Sequence, residues 1–205
     1  MKVGVVSDVH NNVEALTYAL DQLRDCDLVL GLGDLVSDYA VDPRIVELSR
    51  SAGLLNILGN HEKSILLHPG SQIRGRLSPD LLAFLGDLAP SREFEVDGRR
   101  VHVAHGSPWD DPRDHRCVYV REHDNHALDR VATSTPADIV LLGHTHHAMA
   151  VRKEETLVLN PGSCGEGRDS GARLTFARLD GAAGVATIFL IRPFLEPEPL
   201  RYAEF

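Results

Sequence analysis

Apolar residues in this chain fall into short runs at 3–6, 28–32, 54–58, 101–104, 139–142 and 157–159, each followed at once by polar residues or glycine. Runs of that length bounded by turn-forming residues read as buried strands. Between the first two runs the spacing changes: Val13, Leu16, Leu20 and Leu23 recur at helical intervals, and Asn11 with Glu14 resembles a capping box at the helix start. A second helix is predicted from near Pro43 on Ile45, Val46 and Leu48. A third is predicted where Ser78 and Pro79 stand as N-cap and first helical residue ahead of Leu81, Leu82 and Leu85. Residues 94–96 and 100–104 flank Asp97-Gly98, which predicts a hairpin because this pair readily takes the positive φ angles of a tight turn. Residues 174–179 and 187–191 read as two more strands. The first half is therefore βαβαβ and the second mostly β, which predicts an α/β fold of layered sheets with outer helices.

The remaining segments are less regular. Residues 109–124 are rich in Asp, Arg and His without periodicity and are expected to form an irregular loop near the site. Residues 193–205, opened by a proline-rich stretch, are expected to be an extended tail, weakly packed at most. At 205 residues the chain is expected to fold as one domain, residues 1–205. Its 43% hydrophobic and 25% charged residues are those of a folded globular protein rather than a disordered one.

Composition narrows the partners. The apolar run at the N-terminus meets Asp8 too early for a signal peptide or a membrane span, so the chain is expected to stay in the cytoplasm and off membranes. A net charge of −9 argues against nucleic-acid binding through a basic surface. Cys26, Cys117 and Cys164 form no C-x-x-C pair and suggest reduced, mostly structural thiols. Oligomeric state is not legible.

The candidate chemistry sits at the strand ends: Asp8-Val9-His10, Gly33-Asp34, Gly59-Asn60-His61-Glu62, His105-Gly106 and Gly143-His144-Thr145-His146. Carboxyl ends of strands in an open α/β sheet converge on one edge, so these side chains are expected to meet. Carboxylate, amide oxygen and imidazole together suit first-row transition ions better than calcium or structural zinc. Seven such ligands exceed the needs of one ion, whereas two ions sharing a bridging carboxylate would use them, with Asp34 as the natural bridge.

This order, D-x-H, GD, GNH followed by an acidic residue, an isolated H, then GHxH, resembles the motif order of the calcineurin-like metallophosphoesterases. The resemblance runs from Asp8 to about Arg168. The His105-Gly106-Ser107-Pro108 and Asn160-Pro161-Gly162-Ser163 blocks make it similar to the small bacterial and archaeal phosphodiesterase branch. It implies a four-layer α/β/β/α sandwich of two mixed sheets flanked by helices. It also implies two divalent transition-metal ions per chain, Mn2+ first and Fe, Ni or Zn otherwise. Asp8, His10, Asp34 and His146 look like the ligands of one ion and Asp34, Asn60, His105 and His144 those of the other, with His61 and Asp34 in catalytic roles. The implied activity is hydrolysis of a small phosphodiester or phosphomonoester by a metal-bridging hydroxide. Alternatives are a nuclease or protein phosphatase of the family, or a protein-binding scaffold like the retromer subunit that resembles it. Two residues depart from the usual pattern, Asn11 after D-x-H and Glu62 beside His61, and neither removes a ligand. Asn160 and Ser163 are expected to hold a turn at the site floor, and Arg168 to be a solvated loop residue.

Overall fold

The structure, a computed structural model, describes residues 1–111, 114–169, 171–192 and 198–204. Strand β1 (Lys2–Val6), helix α1 (Val13–Gln22), β2 (Leu28–Gly31), α2 (Pro43–Ser51) and β3 (Leu55–Asn56) form the expected βαβαβ run, with β1, β2 and β3 as parallel neighbours. Strand β3 is shorter than the apolar run at 54–58. Ile57 leaves the ladder for an isolated bridge to Ala89, and Leu58 N–H donates to the Ala89 carbonyl. Helices α3 (Asn60–Leu67) and α4 (Pro79–Gly86) come next, then the hairpin of β4 (Ser91–Val96) and β5 (Arg99–Ala104). Asp97 and Gly98, at φ 47° and 83°, make its turn. Helix α5 (Asn125–Ser134) precedes β6 (Ile139–Leu141), β7 (Ala148–Lys153), β8 (Thr156–Pro161), β9 (Thr175–Asp180), β10 (Val185–Leu190) and β11 (Glu198–Glu204).

These strands make two mixed sheets, one of six in the order β11-β10-β9-β1-β2-β3 and one of five in the order β4-β5-β6-β8-β7. Side-chain alternation decides what each face touches. Val3, Val5, Leu30 and Leu32 of the first sheet pack with Val101, Val103, Ile139, Leu141, Leu157 and Leu159 of the second, forming the central core. The opposite faces carry the helices. Leu16, Ile45, Ile65 and Leu85 from α1 to α4 cover the six-stranded sheet, while Leu128 and Val131 of α5 cover Val140 and Val158 of the other. The layers are thus α/β/β/α.

Helix starts obey local chemistry, with one shift from expectation. Asp42 and Ser78 cap α2 and α4 by accepting from Arg44 N–H and Leu81 N–H, each ahead of a proline in the first turn. Asn12, not Asn11, caps α1 by accepting from Ala15 N–H at 3.0 Å. Asn11 sits at φ 65° and uses its amide to tie two main-chain groups, donating to Ala40 O and accepting from Asp42 N–H. The tail expectation is corrected in part: residues 198–204 are extended, but as β11 paired along β10, with Leu200 and Ala203 packed on the central core. Residues 193–197 and 205 lie outside the described residues. Among the described residues no helix is long and apolar enough to cross a membrane.

Leu141 is fully buried between the sheets. Leu141→Ala is expected to lower the unfolding free energy by about 2–5 kcal/mol, because the rigid sheets around it cannot close the cavity. Urea unfolding of metal-stripped protein would measure this without a contribution from bound ions.

Candidate metal centre

The loops after β1, β2, β5 and β6 and the first turn of α3 meet at one edge shared by the two sheets. Main-chain bonds between these loops fix the meeting: Asp8 N–H donates to Gly33 O, Gly143 N–H to His105 O, and Cys164 N–H to Ser7 O. The turns are tight enough that Asp8, His10, Asp34, His144 and His146 all take positive φ, between 46° and 68°. Non-glycine residues hold such angles only where the surroundings over-determine them, a common property of functional sites.

Asp8 and Asp34 are buried at the centre. One oxygen of Asp8 is engaged, since Oδ2 accepts from Ser7 Oγ at 2.5 Å and from His144 N–H at 3.0 Å. Oδ1 lies 3.2 Å from His146 Nε2 without the alignment of a hydrogen bond, and 4.0 Å from His105 Nε2. Asp34 Oδ1 accepts from His61 N–H at 2.9 Å, while Oδ2 lies 3.2 Å from His105 Nε2, 3.8 Å from His61 Nε2 and 4.0 Å from His10 Nε2. Asp34 therefore stands between the Asp8–His10–His146 group and His105.

The imidazoles are oriented from behind. His105 Nδ1 faces Leu32 O at 2.6 Å and His146 Nδ1 faces Glu166 O, so both rings donate Nδ1–H to main chain and turn Nε2 inward. His10 Nε2 and His146 Nε2 are 3.1 Å apart, and Asn60 Oδ1 is 3.0 Å from His105 Nε2. His144 Nε2 is buried and has no hydrogen-bond partner among the described residues. Every residue expected as a ligand is thus brought to this edge. Asp8, His10 and His146 offer atoms within 4.8 Å of one another, and so do Asp8, Asp34 and His105. Burial opposes the charge on Asp8 and Asp34, yet the imidazoles beside them hold both carboxyls below their usual range. Burial likewise opposes charge on His105, but Asp34 and Asp8 push it up to about 10. Burial lowers His10, and burial with the neighbouring His105 lowers His144 to about 4. Two buried carboxylates, imidazoles with inward nitrogens, and the unpartnered Asp8 Oδ1 and His144 Nε2 are a donor set that fits divalent cations.

Several contributors were not visible as ligand motifs. Glu62, which in sequence is only a departure from the family pattern, is fully buried and accepts from Asp34 N–H at 2.9 Å, Val36 N–H at 3.0 Å and Gly59 N–H at 2.8 Å. It locks the Asp34 loop to the start of α3. Burial, with the Asp34 carboxylate, pushes Glu62 up to about 7 despite these donors. Asp38 was missed altogether; its Oδ1 is 3.0 Å from His61 Nδ1, and its N–H also points at that nitrogen at 3.0 Å. Nothing in sequence marks Asp38, because the contact depends on the turn after β2. Cys117 and Tyr119 also approach, from the irregular loop. As expected, Ser163 Oγ braces the floor by donating to Asp8 O at 2.7 Å, and Asn160 Nδ2 by donating to Gly143 O at 2.7 Å. Arg168 pairs with Glu166. His147, in the loop before β7, turns its Nδ1 to Thr145 O at 2.6 Å.

Comparison with known proteins points the same way. A probable metallophosphoesterase of Methanothermobacter thermautotrophicus is 29% identical over 184 residues, covering 88% of this chain and 87% of its own. A phosphodiesterase of Methanocaldococcus jannaschii is 23% identical, over 80% of this chain and 84% of its own. Among solved structures, a metallophosphoesterase from Sphaerobacter thermophilus superposes with a TM-score of 0.74 at 25% identity, over 94% of this chain and 88% of that one. The calcineurin-like phosphoesterase superfamily domain matches residues 1–184. That match spans every strand end contributing to the candidate metal centre, and the chain belongs to the calcineurin-like phosphoesterase superfamily.

Proposed function

We propose that this chain is a two-metal phosphoesterase that hydrolyses a small phosphodiester or phosphomonoester in the cytoplasm, with Mn2+ as the first expected metal. The observation that carries the reading is the convergence of buried, uncommitted donor atoms, above all Asp8 Oδ1 and His144 Nε2, around the Asp34 carboxylate. In this reading Asp8, His10, Asp34 and His146 hold one ion, and Asp34, Asn60, His105 and His144 hold the other. Bound there, the two cations would lower the pKa of a shared water to give the attacking hydroxide and would neutralise phosphate oxygens.

The chain's own residues supply the rest. His61 is less buried than the ligands, with 20% of its side chain exposed, and its Nε2 faces the same edge as Asp34. With Nδ1 held against Asp38, the ring is placed to donate Nε2–H to the leaving oxygen. Asp38 positions the ring, as carboxylates commonly do behind a working histidine. Glu62 keeps the Asp34 loop in register with α3, and so keeps both oxygens of Asp34 pointed correctly. The names of the relatives, metallophosphoesterase and phosphodiesterase, support the reaction class. The acidic balance of the chain supports a small substrate over a nucleic acid.

Metal-stripped protein titrated with Mn2+, Ni2+, Zn2+ and Mg2+ is expected to gain turnover of chromogenic phosphate esters, and the diester-to-monoester ratio would give the substrate class. His61→Ala should lose about 10²–10⁴-fold in kcat while still binding metal, whereas Asp34→Asn should lose both turnover and metal occupancy. No turnover with any ion, at two ions bound per chain, would overturn the enzymatic reading in favour of a scaffold. Asp38→Asn should lower kcat with KM little changed. An unchanged kcat would remove Asp38 from its positioning role.

A further inference from the structure

The loop between β5 and α5 brings one side chain to the centre that neither the ligand motifs nor the mechanism uses. Cys117, His105 and His144 present Sγ and ring nitrogens within 4.8 Å of one another. This approach is built into the loop. Asp110 Oδ1 accepts from Ser107 Oγ at 2.7 Å and from Val118 N–H at 3.0 Å, and its Oδ2 accepts from Ser107 N–H at 2.9 Å. One carboxylate thereby pins the residue after Cys117 to the residues after His105. Gly106 makes the close approach possible, because a Cβ there would collide with Cys117 Cβ and crowd Asp110 Oδ2 at 2.8 Å. Tyr119, two residues on, lays its ring 4.4 Å from that of His144.

A cysteine near a site is not by itself a ligand, but here a second observation points to a shared occupant. Among the described residues His144 Nε2, on a residue only 8% exposed, has no hydrogen-bond partner, and His144 belongs to the same trio. An imidazole nitrogen left bare in a buried setting needs something to bind, and a cation on the His105–His144 side would meet it with the sulfur within reach.

We propose that Cys117 is a thiolate ligand of the ion held by His105 and His144, making the second site of this chain sulfur-containing and biased toward thiophilic ions. This rests on the two-metal reading and refines it. Binding breaks the Sγ–H bond, forms a sulfur–metal bond and releases the proton to solvent. Thiolate ligation favours Zn2+ or Co2+ at that position over Mn2+ or Mg2+, which prefer oxygen. The two sites would then differ in the metal they prefer, and alkylation of Cys117 would take a ligand from only one of them.

Metal-stripped protein loaded with Co2+ should show a sulfur-to-cobalt charge-transfer band in the near ultraviolet, lost in Cys117→Ser and kept in Cys26→Ser. Saturating Zn2+ should also slow iodoacetamide labelling of Cys117 in the unmutated protein, read by mass spectrometry, which requires no variant to fold. Two bound Co2+ ions with no such band would overturn the thiolate ligand and leave the two-metal reading standing. Failure to bind Co2+ or Zn2+ at all would overturn both.

Discussion

Two carboxylates buried side by side are the constraint around which this fold is arranged. Asp8 and Asp34 lie just past the ends of adjacent parallel strands, and both are buried away from bulk solvent. Every nearby group answers that problem. Imidazoles from separate loops turn their inner nitrogens toward the pair, and main-chain N–H groups of His61 and His144 donate to it. Carbonyl oxygens of Leu32 and Glu166 fix two of the rings from behind. The donors reach the pair from the edges of both sheets. The central core of Val, Leu and Ile residues holds the two edges together.

A third buried carboxylate, Glu62, solves a different problem. Its oxygens accept three main-chain N–H groups from two segments distant in sequence. It acts as a clamp, joining the turn after β2 to the start of α3 in the way an N-cap joins a helix to its own first turn. The added methylene relative to aspartate gives it the reach to span both.

Much of this was legible in the sequence, for physical reasons. Strands buried on both faces read as plain apolar runs, so β1, β2, β5, β6 and β8 stood out, and a polar ligand at the end of a strand is a sharp break in that pattern. Elements that bury little were silent. Helix α5 has only Leu128 and Val131 fully buried, too few for a period to emerge. Strand β7 leaves much of its length partly exposed at a sheet edge, and α3 was hidden beneath the ligand motif that forms its first turn. The tail concealed β11 because prolines there weigh against a strand, although edge positions tolerate them. Within the candidate site, residues tied to strand ends could be named from sequence, whereas Asp38 and Cys117 could not. Their positions are set by the turn after β2 and by the Asp110 brace, and neither leaves a spacing rule.

The left-handed angles at Asp8, His10, Asp34, His144 and His146 have an evolutionary consequence. Each is a small conformational cost added to the repulsion of the two carboxylates, and none of it is needed to pack the sheets. Replacement of such residues by glycine or asparagine would relax the backbone without disturbing the layers. Substitution at these positions therefore runs downhill in folding free energy and leaves a sturdier framework.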